Sequence, residues 1–341
     1  MNTPLINKDS NDMLSKLRGN DLLEYLNILS EYYLEYRNKI DLPNSLSFGI
    51  EIEFENVYEG IVRDFLIDSS LYNSHDNYDC GWIAKHDGSL SSGGEVNSPA
   101  STDNKKFWEA LKKVCLFLKS KNATMTEDAS CHMHYAATYL GNDVEAWRVF
   151  LKTYAAYEAV LFRFFYGDML CARYRLLTFS FPIGSTIYNK LDVLNRITNP
   201  KGLLDVVNRS AKYQSINFAN VDFDNINKDH YKNTLELRIP NATTNHIVLQ
   251  NNINVPGKLM MSSKMKLIDE EFIDYKLKKD FVEFDSNRHR YSEVLLKDAL
   301  EFCDVNFDNN LDKAYFLKQY LKDFDNSCDS YHQVTPKVFT R

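Results

Sequence analysis

Residues Ser47 to Phe54 alternate strictly: Phe48, Ile50, Ile52 and Phe54 fall on one side of an extended chain, and Gly49, Glu51 and Glu53 on the other. A segment with this period is a strand with one apolar face. The chain must therefore build a sheet and supply an apolar layer to cover it. The other face carries two carboxylates, with a glycine beside them. Side chains two residues apart on a strand stand about 6.5–7 Å apart. Two anions at that distance repel by roughly 2–3 kcal/mol if the effective dielectric is about 20, and by well under 1 kcal/mol in bulk water. On a solvated face the pair means little; in a cleft it calls for a cation.

Two further segments repeat the design. Cys131, Met133 and Tyr135 alternate with His132 and His134, and Leu235, Leu237 and Ile239 alternate with Thr234, Glu236 and Arg238. Glu95 and Asn97 stand in the same relation between Gly93 and Pro99, after a strand from Trp82 to Asp87 that ends in the turn signal Asp87-Gly88. A further strand is expected within Tyr213 to Ala219. This predicts an α+β protein with a mostly antiparallel sheet, one face on helices and the other lining a cleft.

Helical periodicity surrounds these strands. Asp12 to Lys39 carries Leu22, Leu26, Leu29, Tyr33 and Tyr36 at three- and four-residue steps, and Pro43 closes it. After a polar connection from Asn56 to Asp79, the stripe Phe107, Leu111, Val114, Cys115 and Leu118 predicts a helix capped by Thr102 or Asp103. One long helix is expected from Asp143 to about Tyr166, with Glu158 a buried partner for Arg163 or Arg175. The chain beyond Asn245 reads as mostly helical, Asp312 to Phe324 being clearly amphipathic, and the tail after Cys328 as loose. The expected organisation is an N-terminal helical extension over 1–45, a catalytic domain over 46–260 and a C-terminal helical region over 261–341.

Composition narrows the function. A formal net charge of −7 argues against a general nucleic-acid binder, which needs a basic surface. The 6 cysteines form no CxxC pair, which suits reduced thiols in a cytoplasmic protein. No signal peptide and no membrane span are expected. Walker A, HExxH, GxGxxG and GxSxG signatures do not occur, so any use of ATP must proceed through a sheet face and cations. Carboxylate-rich faces suit magnesium or manganese, with histidine as an occasional ligand, and a neighbouring arginine suits phosphate or a substrate carboxylate.

Five motifs occur in a telling order: Gly49-Ile50-Glu51-Ile52-Glu53-Phe54, Lys85-His86-Asp87-Gly88-Ser89-Leu90, Gly94-Glu95-Val96-Asn97-Ser98-Pro99, Cys131-His132-Met133-His134 and Thr234-Leu235-Glu236-Leu237-Arg238. From Leu46 to Met260 the chain resembles the amidoligase family, a branch of the carboxylate–amine ligases that share the glutamine synthetase and glutamate–cysteine ligase catalytic fold. The resemblance implies an antiparallel, curved sheet of the glutamine synthetase type, flanked by helices and cupping ATP with Mg2+ or Mn2+. It implies an enzyme that phosphorylates a substrate carboxylate and lets an amine displace the phosphate to form an amide or peptide bond.

Residue by residue, the resemblance makes Glu51, Glu53, Glu95, His132 and Glu236 metal ligands. His134, Lys85, Arg238 and Arg209 become nucleotide contacts, and Glu95, Arg238 and Asp87 the catalytic set. Asn97, Arg175 and Asn217 fall to the substrate. One departure stands out: Lys212 precedes Tyr213 where an arginine is expected, so Arg209 or Lys212 must replace that phosphate contact. The expected partners are a carboxylate and an amine, either small molecules or peptide or protein groups; the terminal helices shape that choice or form a homo-oligomer interface. Two other readings compete: a metal-dependent amide or ester hydrolase built on His132 and His134, and a non-catalytic relative that binds a nucleotide or peptide.

Overall fold

The computed structural model describes residues 35–72, 81–125, 128–166, 176–224, 233–284, 293–320, 322–323 and 332–333. Most of the expected N-terminal helix, Arg175 and the tail after 328, apart from residues 332–333, lie outside the described residues. What is described is α+β: a six-stranded, fully antiparallel, open sheet in the order β2-β3-β1-β4-β6-β5, with helices against one face. The strands are β1 (Phe48–Phe54), β2 (Ile83–Lys85), β3 (Gly94–Asn97), β4 (Cys131–Ala136), β5 (Ile216–Asn217) and β6 (Thr234–Leu237).

The alternation that predicted the sheet also assembles it. Phe48, Ile50, Ile52, Phe54, Val96, Cys131, Met133, Tyr135, Leu235 and Leu237 are buried on one face. Phe48 packs edge-on to Phe107 and stacks on Trp108 of the helix Lys105–Ser120, at ring separations of 5.1 and 5.7 Å. Tyr135 donates its hydroxyl to the Ile253 carbonyl, 2.9 Å away, in the helix His246–Lys264. Fully burying each such aromatic side chain is worth about 2–3 kcal/mol, so this face drives the sheet onto its helices. The approach of β3 to the end of β1 depends on Gly93, whose φ is +119° and whose Cβ, were one present, would lie 2.0 Å from the Phe54 carbonyl oxygen.

The helix His246–Lys264 is buried on every side from Val248 to Ser263, which marks a core helix rather than an amphipathic surface one. It runs through the expected boundary at 260, and the helices Glu293–Asn306 and Asn310–Tyr320 pack against it. Its polar side chains are matched across those contacts: Asn254 donates to Asp312 (2.8 Å), and Asn251 donates to the Tyr315 carbonyl and to Gln319 (both 3.0 Å).

Several local expectations are corrected. Asn104, not Thr102 or Asp103, caps the helix Lys105–Ser120 by accepting the Phe107 N–H, while Asp103 turns inward to the backbone of Ile40 and Leu42. The connection from Asn56 contains a helix, Glu59–Asp68, that buries only Val62 and Leu66 and so shows little periodicity. The long helix from Asp143 is two, Val144–Ala156 and Glu158–Tyr166, with Tyr157 between them. Neither proline nor glycine marks that break; tertiary partners do, since the Tyr157 hydroxyl reaches Glu301 at 2.7 Å and Glu158 reaches the opposite way. The last helix, Asn310–Tyr320, is not amphipathic as expected but buried on every side from Asp312 to Tyr320, and Lys322–Asp323 pairs with His332–Gln333.

Candidate metal and anion site

Strand register gathers the polar face into rows. Lys85 on β2 faces Glu95 on β3, which faces Glu53 on β1. In the next row Asn97 faces Glu51, which faces His132 on β4. In the third, His134 faces Glu236 on β6, which faces Asn217 on β5. Facing residues of an antiparallel pair have Cβ atoms about 4.5–5.5 Å apart, so side chains from all six strands converge on one concavity. It forms a cleft of about 840 Å³.

Two groups of three ligand atoms lie in this cleft, each within 4.8 Å of one another: Glu51 with His134 and Glu236, and Glu53 with Asp87 and Glu95. Asp87 reaches its group from the loop after β2, where its carboxylate also accepts the Ser89 N–H at 2.7 Å, so the turn and the cleft role coexist. His132 stands between the groups. Its Nδ1 lies 3.2 Å from Glu51 and 3.5 Å from Glu236, and its Nε2 lies 3.1 Å from Ser130 Oγ. The Nε2 of His134 lies 3.1 Å from Glu51 Oε1.

The donor chemistry fits divalent cations. One group offers only carboxylate oxygens and suits a hard ion such as Mg2+ or Mn2+; the other adds one imidazole nitrogen, acceptable to Mn2+. The His134 Nε2, 3.1 Å from Glu51, stands beside two carboxylates that a cation could share with it. Burial opposes ionisation of Glu51, but His132 and His134 outweigh it and hold that carboxyl far below its ordinary value. Burial also works against Glu236, yet His132 and Arg238 leave its carboxyl lowered. At Glu53 burial prevails over His132 and Ser130, and the carboxyl is raised.

Arg238 borders the Glu51 group. Its guanidinium pairs with Glu236, donates from Nε to the Phe179 carbonyl at 3.1 Å, and lies 5.8 Å from the ring centre of Tyr213. Lys212 lines the cleft beside that ring, with Nζ 5.7 Å from its centre. At the other end Lys85 pairs with Glu95 at 2.5 Å. Asn217 lines the cleft and donates to Glu236 at 2.7 Å; Asn97 is buried and reaches Glu95, its Oδ1 without a hydrogen-bond partner among the described residues.

Arg209 is not brought in. It donates to the Val221 carbonyl at 3.1 Å and lines a neighbouring hollow of about 330 Å³. Ser130 and Asp128 line the cleft without having been foreseen, and Ser130 holds Glu53 doubly, N–H to Oε2 and hydroxyl to Oε1, both at 2.7 Å. Their signal was in the sequence: the alternation of β4, extended backwards from His134 and His132, falls on Ser130 and Asp128. Glu158 does not pair with Arg163, and Arg175 lies outside the described residues. Glu158 accepts from the Ile183 and Gly184 amides and the Ser215 hydroxyl. No protein-family model matches the chain, and no curated protein matches it.

Proposed function

We propose that the protein is an ATP- and Mg2+-dependent carboxylate–amine ligase on a sheet of the glutamine synthetase type, forming its amide through an acyl phosphate. The observation that carries this reading is the division of labour along β1: Glu51 and Glu53 serve two adjacent ligand groups, and cationic side chains stand at both ends. Phosphoryl transfer needs positioning and charge neutralisation rather than a covalent protein partner, and this cleft is built for both.

Glu51, His134 and Glu236 would hold one cation, and Glu53, Asp87 and Glu95 another. Bound Mg2+ would supply neutralisation of phosphate charge. Arg238 and Lys212 offer donors to phosphate oxygens at one end, beside the exposed ring of Tyr213. Lys85 offers a charge at the other end to an acidic substrate. Ser130 fixes Glu53 so that both its oxygens keep one orientation.

The hydrolase reading expects the two histidines to share one zinc ion, whereas His134 joins two carboxylates and His132 is spent on Glu51, Glu236 and Ser130. The experiment is direct. Candidate acids are incubated with ATP, Mg2+ and hydroxylamine, and hydroxamate and phosphate are measured. Release of both in equal amounts is expected with the right acid. Failure of the protein to bind ATP with Mg2+ at millimolar concentration would sink the proposal.

A further inference from the structure

Outside the cleft, the Glu158 carboxyl is buried with nothing in the ligase reading to use it. Glu158 begins the helix Glu158–Tyr166 and is 2% exposed. Three donors converge on it: the Ile183 N–H at 2.9 Å, the Gly184 N–H at 2.7 Å and the Ser215 hydroxyl at 2.7 Å. Burying a carboxyl is costly unless its oxygens are bonded, so its partners are as informative as its position. They belong to two separate segments, 179–184 and 213–215.

Those two segments grip Arg238. They pair with each other through Phe181 N–H to the Tyr213 carbonyl (2.9 Å) and Ser215 N–H to the Phe181 carbonyl (2.8 Å). Arg238 gives its N–H to the Ser215 carbonyl at 3.0 Å, and its own carbonyl accepts the Ser180 hydroxyl at 2.8 Å. Its Nε donates to the Phe179 carbonyl at 3.1 Å. Together these bonds tie Arg238 to both segments, and the Glu158 side chain is bonded to both. The fit is close: a Cβ at Gly184 would lie 2.6 Å from Glu158 Oε2.

We propose that Glu158 is a positioning residue for Arg238, pinning together from outside the cleft the two segments that fix where the guanidinium stands beside Glu236. It rests on the ligase reading only for what Arg238 grips.

The test reads Arg238 directly, in the full chain labelled with 15N-arginine, the Arg238 Nε–H signal being assigned by its loss in Arg238→Lys. Glu158→Gln puts an amide donor where a carboxylate oxygen accepted. It is expected to shift that signal and to speed its exchange with water by about tenfold or more. The Arg148 Nε–H, bonded to the Leu194 carbonyl at 3.2 Å, should stay where it is. Ser215→Ala, which keeps the backbone bond to Arg238, should move the Arg238 signal the same way by less. It carries the test with Gly184→Ala if Glu158→Gln fails to fold. An Arg238 signal unchanged in every folded variant overturns the proposal. Calorimetric titration with ATP and Mg2+ separates the two readings: binding weakened about tenfold in Glu158→Gln supports both. A wild-type protein that binds no nucleotide removes the ligase reading, while the Arg238 signal still decides the role of Glu158.

Discussion

Glu51 and Glu53 are separated by one residue and share a face of β1, yet their carboxylates belong to different ligand groups and are shifted in opposite directions. Register divides the groups, and burial, which His132 and Ser130 do not offset at Glu53, separates the shifts. β1 is flanked by β4 on one side and β3 on the other; Glu51 turns toward the histidines of β4, whereas Glu53 faces Glu95 of β3. Strand geometry alone therefore converts a repelling pair into two neighbouring sites.

If each glutamate serves its own cation, single variants should each remove one. Mn2+ titration followed by electron paramagnetic resonance should find two ions in the wild-type protein. One should remain in Glu51→Gln, one in Glu53→Gln, and the lost site should be weakened at least about tenfold. Loss of both ions in either variant would show a single shared site instead.

Ser130 gives a sharper test of the Glu53 group. Ser130→Ala keeps the backbone bond to Oε2 and removes the hydroxyl bond to Oε1 together with the contact to His132 Nε2. A stability loss of about 1–2 kcal/mol is expected in urea denaturation, with Mn2+ affinity falling about 10–100-fold at that site alone. An unchanged affinity would mean that Glu53 is not held for a ligand.

Much of this site was legible in the alternation of β1, β4 and β6, because a period of two assigns faces without any knowledge of neighbours. Ser130 follows from the same pattern carried two residues further. What alternation could not supply was register and loop reach. It left His132 and His134 equivalent, and only the pairing of β4 with β1 and β6 separates them. Asp87 arrives from a loop, and the partners of Glu158 come from segments 25 and 57 residues away, distances at which no local pattern exists. The break at Tyr157 was hidden for the same reason.

Asp312 ties both ends of the chain to the central helix. It pairs with Arg37 at 2.6 Å and with Lys258, itself 2% exposed, at 3.4 Å. Burial opposes its ionisation, but Arg37 and Lys258 outweigh burial and lower it. Asp312→Ala strands a buried lysine and should cost about 3–5 kcal/mol in urea denaturation. Because the folded carboxyl is lowered, its contribution is present above pH 3.8 and is lost as the pH falls through the folded value. A loss under about 1 kcal/mol would mean that Lys258 finds another partner.

Lys212 and Arg209 divide clearly between cleft and hollow. Lys212→Ala should weaken binding of ATP with Mg2+ by about 5–10-fold, the value of one partly screened charge, whereas Arg209→Ala should leave it unchanged. Calorimetry decides between them, and a larger effect from Arg209 would move the phosphate contact into the neighbouring hollow.

Glu158 should leave a mark on stability as well as on Arg238. Burial pushes its carboxyl from an ordinary 4.5 up to about 7, although the Ile183, Ser215 and Gly184 donors pull it down. Between those two values the folded protein holds a proton that the unfolded chain has released. Stability contributed by this group is therefore full below about pH 4.5, declines as the pH rises toward 7, and levels off above it. The span corresponds to about 3 kcal/mol. Glu158→Gln cannot titrate, so subtracting its urea-derived stability from that of the wild type cancels every other ionisable group. The wild-type advantage should be largest at and below about pH 4.5 and should shrink as the pH rises to 7. An advantage that grows with pH would mean that the three donors prevail over burial and hold Glu158 ionised.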